Sequence, residues 1–451
     1  MSFADNKVMK VSYVSKMRVN INLRWIELIP VLPSILMRAI ALVRKIHNAE
    51  FTINSKDMRH HYVVRLPVVG PQLERRQRIW VRTIVVASVP IWAASFLYAK
   101  LGARFSLDLR VYREATASFL AGHNPYLLHF TSYGLPWTYP PFALFVLSPL
   151  SFGSIHLIEA LWWLCNFAAM FAILYIAIST VFQRSRATNL AIAAFVTPVL
   201  SLALEPVRSN TTNGQINVLL FLLVILDIVR VRGRGRGVMI GLAAAIKLTP
   251  LIYLLLFVIT RDRRSLLRSI VTFMTAGLIA YLVLPKESVH FWSSEIFHPG
   301  LTGTVGSLRN QSLNGLLHRW PFPHDGMTLL WIFFVLLTLS VGTSLAKRLA
   351  NAGLTIDAVI ALGLTGELIS PISWTHHWIW VVLIPVLVVR GFKGQRQVTI
   401  AMIALILVAA VAPYSWDTHG LTHRVLSDSL TVVALSVLLV WFTTERLRDR
   451  N

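Results

Sequence analysis

From Trp80 onward the chain alternates long apolar runs with short basic clusters, and this alternation limits the fold more than any single motif. A helix needs roughly 20 apolar residues to cross the hydrocarbon core of a bilayer. Runs at 83–101, 155–182, 190–204, 218–229, 238–259, 270–284, 329–345, 356–369, 378–389, 398–412 and 430–442 approach or reach that length. The shorter ones are expected to tilt, to be extended by their neighbours, or to lie inside a bundle. Two stretches read as broken or re-entrant: 140–150 is apolar but short, and Lys247 and Pro250 interrupt 238–259. The expectation is an all-α polytopic membrane protein with about 10–12 membrane segments, re-entrant pieces and amphipathic helices in its outer loops. Composition agrees. Of 451 residues, 55% are hydrophobic and only 14% charged, with a mean hydropathy of +0.62, which excludes an ordinary soluble globular fold.

The net charge is +23, from 43 Lys and Arg against 20 Asp and Glu. In a soluble protein that surplus would suggest nucleic acid. Here its distribution decides otherwise. The loops at 183–189, 230–236, 261–268, 347–348, 390–396 and 445–451 carry 18 Lys and Arg, whereas the alternate loops at 102–139, 205–217, 286–327 and 413–428 carry 8 over many more residues. The positive-inside rule places the first set in the cytoplasm, with both termini, and the second set outside a plasma membrane. The Arg-rich stretch at 232–236 is then an inside loop near anionic lipid, and no nucleic-acid partner is implied. Residues 1–79 hold 14 Lys and Arg against 5 Asp and Glu and no spanning run, and read as a basic cytoplasmic tail without the features of a signal peptide. The single cysteine, Cys165, excludes an intrachain disulfide framework.

Five polar places remain that topology does not explain, all on outside loops or at apparent membrane depth. The first is Asp108-Leu109-Arg110-Val111-Tyr112, where the carboxylate serves either as a helix cap or as a base. The second is Trp137-Thr138-Tyr139-Pro140-Pro141, where a proline bend opens the short apolar dive and interface anchoring is the stronger reading. The third is Glu205-Pro206-Val207-Arg208 followed by Gly214-Gln215-Ile216-Asn217, with amides heading a membrane helix that need partners or a ligand. The fourth is Lys247, an ionisable group inside an apolar run, whose structural alternative is an ion pair with Glu205 or Glu367. The fifth is Ser370-Pro371-Ile372-Ser373-Trp374-Thr375-His376-His377-Trp378. Adjacent histidines diverge by about 100° on a helix, which makes them poor joint metal ligands. Asn310-Gln311 in the long outer loop adds donors. Together these residues predict an outside cavity with one carboxylate, cations, amides and imidazoles. Cations at headgroup depth suit a lipid-linked phosphate, and an exposed Asp suits a base acting on a hydroxyl, so glycosyl or phosphoryl transfer from a lipid carrier is expected. A transporter of a lipid-linked sugar fits the helices too, but would show two related halves, and no convincing internal repeat is present.

In their order and spacing, Asp108–Tyr112, Thr138–Phe142, Glu205–Arg208, Gly214–Asn217, Lys247–Pro250 and Ser370–Trp378 resemble glycosyltransferase family 87 of the GT-C superfamily. The resemblance covers about residues 83–446, so 80–446 would be one GT-C transmembrane domain between the 1–79 tail and a short cytoplasmic tail at 447–451. It implies an α-1,2-mannosyltransferase that takes mannose from polyprenyl-phosphate-mannose with inversion, on the extracytoplasmic side. It also implies Asp108 as catalytic base, and His376 or His377 (His376 preferred) at the donor phosphate or aiding its departure. By the same resemblance Lys247 and Arg208 hold phosphate together with His377, while Tyr139, Glu205, Gln215, Asn217, Asn310, Gln311 and Trp374 shape the sugar and acceptor pocket. No metal or other cofactor is expected, because Asp108 has no second acid beside it and a monophosphate donor does not require one. Asn213 precedes Gly214 where the phosphatidylinositol-mannoside members carry an aromatic residue, which leaves a phosphatidylinositol-mannoside glycolipid and the lipomannan or lipoarabinomannan backbone both open as acceptor.

Overall fold

The computed structural model describes residues 71–102, 106–297, 303–321, 325–392, 394–415 and 426–448. The expected tail at 1–79 lies outside them except for its last residues, and these are helical. The first helix, α1, is Pro71–Gly102, starting ahead of the expected domain edge at Trp80. Gln77 on that early turn donates to Ser185 Oγ (2.8 Å) and Thr188 Oγ1 (3.0 Å), which fastens it to the basic loop at 183–189.

In chain order the helices continue with α2 (Leu107–Leu120), α3 (Phe142–Leu147), α4 (Ile155–Val181), α5 (Arg186–Ala203), α6 (Glu205–Asn213) and α7 (Asn217–Ile225). Then come α8 (Val238–Ile246), α9 (Leu254–Ile259), α10 (Arg263–Val283), α11 (Pro285–Ser293) and α12 (Leu313–Arg319). The last are α13 (Met327–Asn351), α14 (Thr355–Ile369), α15 (Ile384–Arg390), α16 (Arg396–Val411) and α17 (Ser429–Arg448). A two-residue hairpin, His129–Phe130 against Leu135–Pro136, is the only sheet among the described residues. Local chemistry sets many boundaries. Ser154, Ser185, Asp262 and Ser312 cap α4, α5, α10 and α12 by accepting from the backbone N–H of Leu157, Thr188, Ser265 and Gly315. Prolines open α6, α11 and α15, where their missing N–H costs no hydrogen bond.

Every expected apolar run is helical. Among the described residues five helices (within α1, α4, α5, α10 and α13) are long and apolar enough to cross a bilayer alone, and α6 with the helix from Asn217 to Arg230 makes a sixth, bent by 118°. Fewer single helices reach spanning length than the expected segments because several runs break. The run at 238–259 splits into α8, a 3₁₀ turn at Thr249–Tyr253 and α9, as Lys247 and Pro250 predicted. Trp378 onward starts as 3₁₀ turns before α15. The dive at 140–150 is α3 followed by a 3₁₀ turn at Ser148–Ser151, too short to span. The expected outer-loop helices are α2, α11 and α12. The main core packs α4, α5, α7 and α13 through α17 around fully buried Trp378 and Trp441. At the basic end, buried Asp357 on α14 takes both Arg390 guanidinium nitrogens at 2.7 Å. A second, smaller core gathers α2, the hairpin, α3 and parts of α7, α8 and α11, and it frames the cavity described next.

Candidate active site

The cavity is built around the placement of α2. Leu109 and Tyr112 are buried on its inner face, and Asp108 lies one turn before Tyr112, so the two share that face. Three further contacts fasten the helix: Arg110 to Glu159 (3.5 Å), Arg113 to the Gly153 carbonyl (3.1 Å), and Thr116 Oγ1 to Ser151 Oγ (2.8 Å). The Ser106 side chain accepts no capping bond, and the cavity lining includes Asp108 itself. At the inner face α2 meets Gly214, which ends α6 at φ 71°, a left-handed conformation that favours glycine. A Cβ there would sit 2.5 Å from Leu109 Cβ. The bend between α6 and α7 therefore sets how closely Asp108 approaches the amides that follow.

Those amides and hydroxyls form a continuous polar seam. Tyr112 and Tyr139 share a hydroxyl–hydroxyl bond of 2.6 Å, and both approach Gln215 Oε1, at 3.0 and 3.1 Å. Lys247 stands where α8 stops, and its Nζ donates to Asn217 Oδ1 (2.7 Å) and Tyr139 OH (3.3 Å) and lies 3.4 Å from His377 Nε2. Asn217 in turn donates to the His376 carbonyl (2.9 Å). The two imidazoles pack edge-on with centroids 4.9 Å apart, and His376 Nε2 and His377 Nδ1 have no hydrogen-bond partner. Residues 309–311 and 373–375 run alongside each other: Thr375 N donates to Arg309 O (3.1 Å), Ser373 N to Asn310 Oδ1 (2.8 Å) and Gln311 N to Ser373 O (2.8 Å).

These groups enclose about 560 Å³, lined among others by Asp108, Tyr139, Gln215, Lys247, Arg309 and His376. A second cavity of about 440 Å³ shares Leu248, Thr249, Ile296, Pro371 and His377 with it and is largely apolar, with Leu220, Phe221, Val224, Ile252 and Trp380 in its walls and Glu367 at its edge. Such a pair can hold a polar head in one chamber and a hydrocarbon chain in the other. The electrostatics favour a proton acceptor in the first. Burial raises the pKa of Asp108 to about 6, while hydrogen bonding from Gln215 and the charge of Lys247 hold it down from going further. A carboxylate so tuned is ionised at neutral pH yet basic enough to take a proton.

Of the residues singled out in the sequence, Asp108, Tyr139, Gln215, Lys247, Trp374, His376 and His377 line the larger cavity, and Asn217 lines the second. The interface-anchor reading of Trp137 and Tyr139 fails, because both are buried in an aromatic cluster with Tyr112. Arg208, expected at phosphate, is outside both linings; its Nη1 donates to the carbonyls of Leu202 (2.7 Å) and Ala203 (2.8 Å) at the end of α5. Glu205 sits behind the histidine turn, accepting from Thr375 Oγ1 (3.0 Å) and Tyr414 OH (2.8 Å). Lys247 is thus hydrogen-bonded to Asn217 and Tyr139, while the oxygens of Glu205 and Glu367 take hydroxyl donors, Ser373 in the case of Glu367. Asn310 and Gln311 are wholly buried, and their amides tie loops together through Val305 O, Ser427 O and Thr431. The sequence reading missed Tyr112, Arg309 and Glu295 as cavity residues. Tyr112 carried a signal, its helical spacing from Asp108, and Arg309 directly precedes the Asn310-Gln311 pair. Among the described residues no group of three or more His, Cys, Asp or Glu is arranged to hold a metal ion.

Comparison with known proteins adds a family. Glycosyltransferase family 87 matches residues 137–371. A Mycobacterium tuberculosis protein named polyprenol-phosphate-mannose-dependent alpha-(1-2)-phosphatidylinositol mannoside mannosyltransferase is 30% identical over 80% of this chain and 87% of its own length. The Mycolicibacterium smegmatis protein of the same name is 33% identical over 75% and 82%. A second M. smegmatis protein, named for phosphatidylinositol pentamannoside, is 26% identical over 84% and 95%. No solved structure matches.

Proposed function

The chain belongs to glycosyltransferase family 87, and on that premise we propose that it transfers mannose from polyprenyl-phosphate-mannose to a mannose hydroxyl of a phosphatidylinositol-mannoside glycolipid, forming an α-1,2 linkage with inversion. The observation that carries this reading is the junction of two cavities, one with Asp108, Lys247 and two imidazoles in its lining, the other largely apolar, of about 440 Å³, and of a chemistry that suits the start of a prenyl chain. Asp108 takes the proton of the acceptor hydroxyl as its oxygen attacks the anomeric carbon. The bond from that carbon to the phosphate oxygen breaks on the opposite face, its electron pair leaving with polyprenyl phosphate. The leaving group gains negative charge in this step, and Lys247 and Arg309 lie in the same lining to stabilise it. Lys247 is held in place before substrate arrives by Asn217 and Tyr139, so little reorganisation is needed. The printed names of the mycobacterial relatives support the donor and the acceptor class. The charge asymmetry of the loops supports an extracytoplasmic site with cytoplasmic termini.

The test is product analysis with purified protein in lipid, a labelled polyprenyl-phosphate-mannose donor and phosphatidylinositol-mannoside acceptors. A lipid product from which an α-1,2-specific mannosidase releases the label is expected. Movement of labelled donor across the bilayer with no glycosidic product would instead make the protein a carrier.

A further inference from the structure

The larger cavity has a second carboxylate. Glu295 lies on the 3₁₀ turn after α11 and lines the same space as Asp108. Its side chain is only 10% exposed. One oxygen, Oε1, is 3.0 Å from His290 Nε2, and Oε2 has no hydrogen-bond partner among the described residues. His290 is held in turn. Its ring lies 5.9 Å from that of Tyr126, whose other neighbour, Phe291, is 5.8 Å away and also lines the cavity. Tyr126 donates to the Tyr139 carbonyl at 2.6 Å, so this outer-loop corner is locked to the strand of chain that carries Tyr139.

The cavity carries charges of both signs. Lys247, Arg309 and the two imidazoles come from the α8 break and the paired segments around 309 and 375, and they suit an anion. Asp108 and Glu295 come from helix α2 and the turn after α11, and as carboxylates they suit hydroxyl donors rather than a phosphate. A nearly buried carboxylate with one free oxygen next to an apolar ring is the chemistry that binds a neutral polyol: the oxygen accepts from a hydroxyl and the ring covers a C–H face. We propose that Glu295, locked by His290 and flanked by Phe291, is the subsite for the acceptor sugar, holding a ring hydroxyl adjacent to the one that Asp108 deprotonates. The inference rests on the mannosyl-transfer reading above and adds the residue that positions the acceptor and selects for it. A hexose lacking the contacted hydroxyl would leave Glu295 buried without its donor, which is how a polar site rejects an analogue.

The experiment uses the full-length protein in lipid with polyprenyl-phosphate-mannose as donor and octyl α-mannoside as acceptor probe, and it compares Glu295→Gln, His290→Asn and the parent chain. Glu295→Gln should raise the acceptor KM roughly ten- to a hundred-fold, the weight of one charge-assisted hydrogen bond, and leave the donor KM unchanged. His290→Asn, which keeps the carboxylate and loosens its lock, should raise the acceptor KM less. Deoxy analogues of the probe should then lose their handicap in Glu295→Gln at one ring position only. Binding of labelled donor certifies that a variant is folded and loaded; absence of any transfer to the probe by the parent chain counts against the mannosyl-transfer reading itself. Unchanged acceptor kinetics in both variants overturns the subsite. A collapse of kcat in Glu295→Gln with the acceptor KM intact overturns it as well, since Glu295 would then be acting on the proton.

Discussion

If Asp108 is the base, the rate must follow its ionisation, and its surroundings fix where. With a pKa of about 6, roughly nine-tenths of Asp108 is ionised near pH 7 and roughly one-tenth near pH 5. Burial favours the protonated, inactive form, so activity is present above the folded-state pKa and is lost as pH falls through it. The kcat/KM for mannose transfer should therefore drop about ten-fold for each unit below about pH 6. Two substitutions separate this limb from general acid damage. Asp108→Asn removes the base, should cost about 10²- to 10⁴-fold, equivalent to ~3–5 kcal/mol of barrier, and should abolish the acid limb while donor binding persists. Lys247→Met removes the positive charge that lowers the Asp108 pKa, so the limb of its residual activity should move toward neutral pH. The assay is initial-rate transfer from labelled donor between about pH 4.5 and 8, normalised to filter-bound donor. A profile flat to its acid end, or an Asp108→Asn variant within a few-fold of the parent chain, would refute the assignment.

Other substitutions probe the scaffold. Gly214→Ala places a Cβ 2.5 Å from Leu109 Cβ at a left-handed φ, so it should push α2 away, lowering kcat with a smaller effect on donor binding; equal loss in both would show that the bend does not position Asp108. Arg208→Ala should lower the melting temperature in detergent, because the α5 carbonyls of Leu202 and Ala203 lose their donor, and should leave the donor KM unchanged; a raised donor KM would return Arg208 to the phosphate site. Asp357→Ala leaves Arg390 without its bidentate partner and should destabilise the fold by about 3–5 kcal/mol, read by thermal unfolding, with no selective effect on the surviving activity.

Apolar runs carried most of the fold, since a bilayer enforces helices wherever the chain is apolar for long enough. Local chemistry that breaks a helix was legible too: Lys247 and Pro250 predicted the interruption after α8. Contacts between distant segments were not. Arg208 and Arg309 are both cations in polar stretches between apolar runs, and nothing local separates them. Arg208 turns back onto carbonyls five and six residues behind it, whereas Arg309 reaches the cavity because its backbone pairs with the segment before His376. The amides of Asn310 and Gln311 have a physical explanation that residue type alone hides. Irregular buried loops leave backbone groups without partners, and side-chain amides are the residues that satisfy them.

The distribution of satisfied and unsatisfied polar groups gives the most direct pointer to function. Toward the basic loops, several buried polar side chains are closed off by the protein itself, Asp357 by Arg390, Asp227 by the N–H groups of Gly237 and Ile240, and Gln395 by Glu445, although Asn189 Oδ1 and Arg236 Nε have no hydrogen-bond partner among the described residues. Around the cavity the count differs. His376 Nε2, His377 Nδ1 and Glu295 Oε2 lack partners among the described residues, and Arg309 and Asp108 line the cavity. Groups left without partners at membrane depth cost free energy that packing must offset. A substrate bearing one anion and several hydroxyls would supply the missing partners in one binding event. The same physics predicts that donor and acceptor, bound together, should stabilise the protein against heat more than either alone, whereas variants of Asp357 or Asp227 should lower stability equally with and without ligand.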